Sequence, residues 1–184
     1  RTSPDIWIVI STLLILTIGV IMVYSASAVL AFHDYGDSFY YLKRQLVFAA
    51  LGVAAMFITM NTDYRNWKKF AKLGIIVCFA LLVLVLIPGI GVVRGGARSW
   101  LGIASLGIQP SEFMKLAMIL FMAKRLSEPD SRIQSFRHGL LPMLMLLGAA
   151  FGLIMLQPDL GTGAVLLGAT MMIIFSAGAR IAHL

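Results

Sequence analysis

Charge is what this sequence has least of. Asp, Glu, Lys and Arg together make up 12% of its residues, where a soluble globular domain carries about 25%. Hydrophobic residues make up 60%, and the mean hydropathy is +0.92. That balance excludes a soluble enzyme domain, a disordered tail and a nucleic-acid module, so no nucleic-acid partner is expected. A multi-span membrane protein remains. Cysteine is nearly missing too. Cys78 stands alone in an apolar run, so no internal disulfide can form, and the thiol is expected to pack as a small apolar group. His33, His138 and His183 lie far apart, with no Cys or carboxylate at ligand spacing, so no zinc site is expected. No cleavable leader is apparent, because the first apolar run is too long for a signal h-region. The chain opens on Arg1 and closes on Leu184 just after an apolar run, and it reads as part of a longer protein.

What is present is a series of apolar segments. Six are expected to be helical spans, at residues 6–30, 42–60, 73–87, 110–126, 139–156 and 160–177, in one transmembrane domain covering 1–184. The third is short and must borrow from the amphipathic stretch 67–72. The fourth, at 17 residues, is about 25 Å long, slightly less than a hydrocarbon core of about 30 Å. The scarce acidic residues leave a net charge of +7, and its distribution gives the sidedness. Arg1, Arg65, Lys68, Lys69, Lys72, Lys124, Arg125, Arg132, Arg137 and Arg180 fall on one side; Lys43, Arg44, Arg94 and Arg98 fall on the other. By the positive-inside rule the larger set is cytoplasmic, and both ends of the chain with it. The segment 61–72, with Trp67 among basic residues, is expected to lie flat on the inner membrane surface. Residues 124–138 read as a polar inner loop with Ser127, Pro129, Asp130 and Ser131. The glycine-rich stretch 88–109 reads as a structured outer loop that dips into the interface.

Ionisable groups at membrane depth are expensive and are functional candidates by default. Gln109-Pro110-Ser111-Glu112-Phe113-Met114-Lys115 starts the fourth span. Pro110 suits a first helical turn, Glu112 faces the positive end of the helix dipole, and Ser111, Glu112 and Lys115 share a face. Gln157-Pro158-Asp159-Leu160-Gly161-Thr162-Gly163 separates the last two spans. Each has a plain alternative: a self-neutralising Glu112–Lys115 pair in the first, an ordinary N-cap at Asp159 in the second. Topology puts Lys115 and Asp159 on the same side, so the expectation is one outer-leaflet cavity, with Lys115 within reach of Asp159 or Glu112. Arg94, Arg98 and Trp100 in the outer loop suit phosphate and sugar groups, or interfacial anchoring.

The two Gln-Pro motifs, together with Val23-Tyr24-Ser25-Ala26-Ser27-Ala28, Lys43-Arg44-Gln45-Leu46 and Gly96-Ala97-Arg98-Ser99-Trp100-Leu101, resemble the SEDS family (shape, elongation, division and sporulation). Thr2-Ser3-Pro4-Asp5, Val83-Leu84-Val85-Leu86-Ile87-Pro88-Gly89 and Ala177-Gly178-Ala179-Arg180-Ile181-Ala182-His183 look most like its sporulation branch. The resemblance implies an all-α polytopic fold of roughly ten membrane-spanning helices, of which this chain is the N-terminal part. It implies a peptidoglycan glycosyltransferase that polymerises lipid II at the outer face of the bacterial cytoplasmic membrane. The expected partners are a class B penicillin-binding protein and other division or sporulation proteins. The family's proposed catalytic aspartate lies in a later outer loop, beyond this chain. Asp159 and Lys115 are therefore expected in supporting catalytic roles, with Arg94, Arg98, Trp100, Ser111 and Glu112 binding substrate. In such a transfer a carboxylate takes the proton of the attacking hydroxyl while pyrophosphate leaves. The departing group needs positive charge or a metal. No metal motif is visible, and a divalent cation would suit the chemistry. A lipid II flippase and a non-catalytic scaffold are the alternatives.

Overall fold

A chain in hydrocarbon must bond its own backbone polar groups, and helices do this within a single segment. The computed structural model describes residues 3–102, 107–129 and 135–178, and six α-helices carry most of them. Arg1, Asp130, Ser131, Arg132, Arg180 and His183 lie outside the described residues. The chain divides into two units, residues 1–63 and 64–184.

The first unit is a helical hairpin. Helix α1 is Ile6–Tyr35 and α2 is Tyr40–Asn61. Asp5 caps α1 by accepting the Trp7 N–H at 2.9 Å. Gly36, at φ 70°, ends the helix with its N–H on the Phe32 carbonyl. Few polar side chains lie within α1, and the hydroxyls of Ser11, Thr12, Thr17 and Ser27 donate back to the carbonyls of Trp7, Ile8, Leu13 and Val23. That local bond is what makes a hydroxyl tolerable in an apolar helix. An aromatic cluster closes the hairpin: Tyr24 stacks on Phe39, Tyr35 on Tyr40, and Tyr41 meets both tyrosines edge-on. In the loop, Asp37 accepts from Lys43 at 2.8 Å and from the Phe39 N–H at 2.9 Å. Chiefly through the Lys43 bond, its carboxyl titrates below the ordinary aspartate value.

The second unit holds a packed core. Helix α3 (Tyr64–Leu86) leads into strands β1 (Gly91–Arg94) and β2 (Ala97–Leu101), then α4 (Pro110–Leu126). A π-helical turn (Phe136–Leu140) runs into α5 (Leu141–Leu156), and α6 is Leu160–Ser176. The π turn ends two residues before Pro142, which has no N–H to continue the α ladder. Ile75, Cys78 and Leu82 of α3 meet Met114, Met118 and Met122 of α4 and Met143, Leu147, Ala150 and Ile154 of α5. Leu166 of α6 joins the same cluster. The three or four residue spacing puts each set on one helix face. Outside these stripes the large apolar side chains face outward, Met145 and Met172 for example, as they must in lipid.

Four helical stretches are long and apolar enough to cross a membrane: Ile6–Tyr35, Tyr40–Asn61, Tyr64–Leu86 and Phe136–Leu156. Leu160–Ser176 is a shorter apolar helix. The chain is thus the polytopic helical membrane protein expected, but α4 carries Glu112, Lys115, Lys124 and Arg125 and falls outside that set. One expectation needs correction. Residues 65–72 do not form a separate surface helix; they are the opening turns of a continuous α3. The third span needed that length, and the helix ladder runs through the boundary unbroken. The glycine-rich stretch is structured, as expected, and part of it forms a β-hairpin. Arg94 pairs with Ala97 across Gly95 and Gly96, both at positive φ, which is the two-residue turn that matches strand twist.

Gly91 seats this hairpin on the end of α3. A Cβ there would run into the Val85 carbonyl oxygen and stand 2.9 Å from Arg98 Cγ. A backbone atom cannot swing aside, so Gly91→Ala should destabilise the second unit by about 1–3 kcal/mol. Gly148→Ala, which meets nothing within 4 Å, should be close to neutral. Thermal unfolding of the two variants in detergent compares them directly.

Candidate functional site

Both Gln-Pro motifs come to one end of the second unit, and a side-chain bond joins them. Pro110 starts α4 with Gln109 at its N-cap position, yet the Gln109 side chain makes no capping bond. Its Nε2 donates to Asp159 Oδ2 at 2.9 Å. The other oxygen of Asp159, Oδ1, caps α6 by accepting the Thr162 N–H at 3.1 Å. The N-cap expected of Asp159 is therefore present, and half of the carboxylate remains for a second task. Gly163 lets α6 approach α5: a Cβ there would stand 2.6 Å from Met155 Cε and 3.1 Å from the Phe151 ring.

Lys115 pairs with Glu112, Nζ to Oε2 at 2.7 Å, on the same face of α4. Of the two partners expected for Lys115, Glu112 is the one it meets. The lysine side chain is 23% exposed and the glutamate 52%, so the pair has a half-buried and an open end. Ser111 is fully buried, and its Oγ has no hydrogen-bond partner. Gln157, two residues before Asp159, is also fully buried, with both carboxamide atoms unpartnered. Polar atoms in that state are rare in native proteins, and sequence reasoning had not singled Gln157 out. Gln109 stands out in the sequence only as part of a motif; the repeated Gln-Pro pattern is the signal that marks it.

The β-hairpin stands over the same end, with β2 against both α3 and α4. Arg94 lies 5.0 Å above the Trp100 ring centre, a cation–π arrangement. The pair closes over Gly107, where a Cβ would stand 2.9 Å from Trp100 Cε3 and 3.3 Å from Arg94 Nη1. Arg98 is half-buried on β2. The antiparallel bridge between Leu101 and Ile108, with two N–H···O bonds of 2.7 Å, ties the hairpin to the segment that enters α4. Among the described residues no three His, Cys, Asp or Glu side chains converge as a metal site would require.

The family model FtsW/RodA/SpoVE, described as cell cycle protein, matches residues 6–184. The chain belongs to this family. It is 60% identical to stage V sporulation protein E of Bacillus subtilis, covering 100% of this chain and 50% of that protein. It is 39% identical to the probable peptidoglycan glycosyltransferase FtsW of Trichlorobacter lovleyi, covering 96% of this chain and 46% of that one. Among solved structures it resembles the rod shape determining protein RodA of Thermus thermophilus, with a TM-score of 0.68 at 31% identity, covering 90% of this chain and 55% of RodA. A chain from a structure described as coordinating polymerization and crosslinking in a peptidoglycan synthase complex matches with a TM-score of 0.66 at 30% identity, covering 90% of this chain and 49% of its own. The chain spans about half the length of these FtsW/RodA/SpoVE relatives.

Trp100 lies under Arg94 and beside Gly107, so its ring helps to pack the hairpin against the segment that follows it. Trp100→Ala should leave residues 91–101 exchanging amide hydrogens at nearly solvent rates, with the α3–α5 core protected as before. Hydrogen exchange read by mass spectrometry distinguishes this local opening from global loss.

Proposed function

We propose that this chain supplies the charged outer end of a peptidoglycan glycosyltransferase that polymerises lipid II. The carrying observation is the Gln109–Asp159 bond, which joins two polar motifs beside the Glu112–Lys115 pair. Support comes from the relatives: several in this family are named probable peptidoglycan glycosyltransferases. In glycosyl transfer a carboxylate accepts the proton of the attacking sugar hydroxyl as the bond to pyrophosphate breaks. Cations placed where the leaving charge develops lower that barrier. Lys115, Arg94 and Arg98 are the cations of this end, and Trp100 offers an aromatic face to a sugar. Asp159 is the anchored carboxylate and supports the reaction from this half. Ser111, fully buried, would act from beneath α4's first turn rather than by direct contact. A crosslinking partner, a class B penicillin-binding protein, is proposed on the strength of the structural neighbour from a synthase complex that coordinates polymerization with crosslinking.

The membrane orientation proposed with it places this end outside and both ends of the chain in the cytoplasm, from the Lys and Arg distribution. In a Cys78→Ser background, Arg98→Cys should react with a membrane-impermeant maleimide in intact cells. Lys69→Cys should react only after permeabilisation. The reverse pattern overturns the orientation.

The activity itself is tested in the full-length protein with its crosslinking partner, supplied with lipid II. Asp159→Asn keeps much of the capping ability but removes the charge. It should insert normally and lose polymerisation. Polymerisation at the parent rate would reduce Asp159 to a helix cap.

A further inference from the structure

Gln109 stands where α4 would normally be capped, and its side chain does something else. It crosses to a carboxylate fifty residues away in sequence, donating to Asp159 Oδ2 at 2.9 Å in a partly buried setting. The two oxygens of Asp159 are thereby committed to donors from two different helix starts, Gln109 on α4 and the Thr162 N–H on α6. The Thr162 bond already fixes rotation about the Asp159 Cα–Cβ bond, but with that bond alone the carboxylate could tilt about Cβ–Cγ while Oδ1 stays on the cap. The Gln109 bond to Oδ2 opposes that tilt. A carboxamide suits the task because it donates without neutralising the carboxylate, as a lysine would, or repelling it, as a second carboxylate would. The bond is also unshared with the neighbouring ion pair, since Lys115 is engaged by Glu112.

We propose that Gln109 is a positioning residue: its amide fixes the Asp159 carboxylate in the one orientation that glycosyl transfer uses. This rests on the reading above, in which Asp159 serves that reaction. The competing possibility is a structural tie between α4 and the α5–α6 turn, indifferent to which side donates. Exchanging donor and acceptor separates the two. Gln109→Glu combined with Asp159→Asn lets the new amide donate to the new carboxylate, so the tie survives while the charge changes place.

The experiment uses the full-length protein with its crosslinking partner, lipid II as substrate, and thermal unfolding of each variant. Gln109→Leu should lower kcat about tenfold to a hundredfold, with KM for lipid II little changed and the unfolding temperature near the parent's. The exchanged double variant should likewise unfold near the parent's temperature but polymerise as poorly as Asp159→Asn alone. If Gln109→Leu does not insert, Gln109→Asn replaces it; its shorter arm cannot reach Asp159, and the same loss of kcat is expected. Parent-like turnover in the Gln109 variant, with Asp159→Asn inactive, overturns the positioning role and leaves the Asp159 reading intact. Parent-like turnover in the exchanged variant, with Asp159→Asn alone inactive, also overturns it, because a tie alone is then sufficient. Parent-like turnover in Asp159→Asn removes the reading on which the proposal rests.

Discussion

Hydrocarbon offers no water to bond a polar group, and this single constraint organises the chain from end to end. Each unpaired N–H or C=O in lipid is costly, so the backbone satisfies itself within helices, and side-chain hydroxyls in α1 turn back to carbonyls four residues earlier. Helix ends carry the remaining orphan groups. Asp5 and Asp159 each take one of them, and Gly36 takes another in a left-handed turn. The β-hairpin obeys the same rule at a helix end, where its strands pair with each other and the isolated Leu101–Ile108 bridge adds two more N–H···O bonds.

The same constraint makes charged residues conspicuous, and it explains why structural and functional readings of one group need not compete. Asp159 caps α6 through one oxygen and meets Gln109 through the other. Capping holds the carboxylate at a known height; the second bond holds its direction. Lys115 meets the constraint differently, by taking Glu112 one turn earlier on its own helix. The local pair neutralises the lysine without calling on a distant partner, while its glutamate half stays open.

Packing in the second unit depends on small and adaptable residues rather than on hydrophobic drive, since lipid is as apolar as the core. The methionines at 114, 118 and 122 form one buried face of α4, and thioethers fill irregular space between helices well. Gly163 lets α5 and α6 close, and Gly91 lets β1 settle on α3. These glycines have different neighbours, a flexible methionine tip and a ring in one case and a backbone carbonyl in the other. The tolerance of each position follows from that difference.

Much of this was legible in the linear chain. Apolar run length located all six helices, and for α4 the boundaries at Pro110 and Leu126 agree with the structure, because a proline start and a basic last turn are local signals. The two Gln-Pro motifs and the family they mark were legible for the same reason. The β-hairpin was missed although Gly95-Gly96 is a local signal; the density of glycine around it hid the two that set the turn. Residues 65–72 were expected to lie on the surface, yet they open α3; the shortness of the third apolar run carried that signal, and amphipathic composition alone did not. What only the tertiary structure decided is pairing. Sequence placed Lys115 and Asp159 at one end, but whether the lysine chose Glu112 or Asp159, and that Gln109 would take the aspartate, depends on how α4 packs against α6. Spacing along a chain cannot report a contact between residues fifty positions apart, because the packing of intervening helices sets that distance.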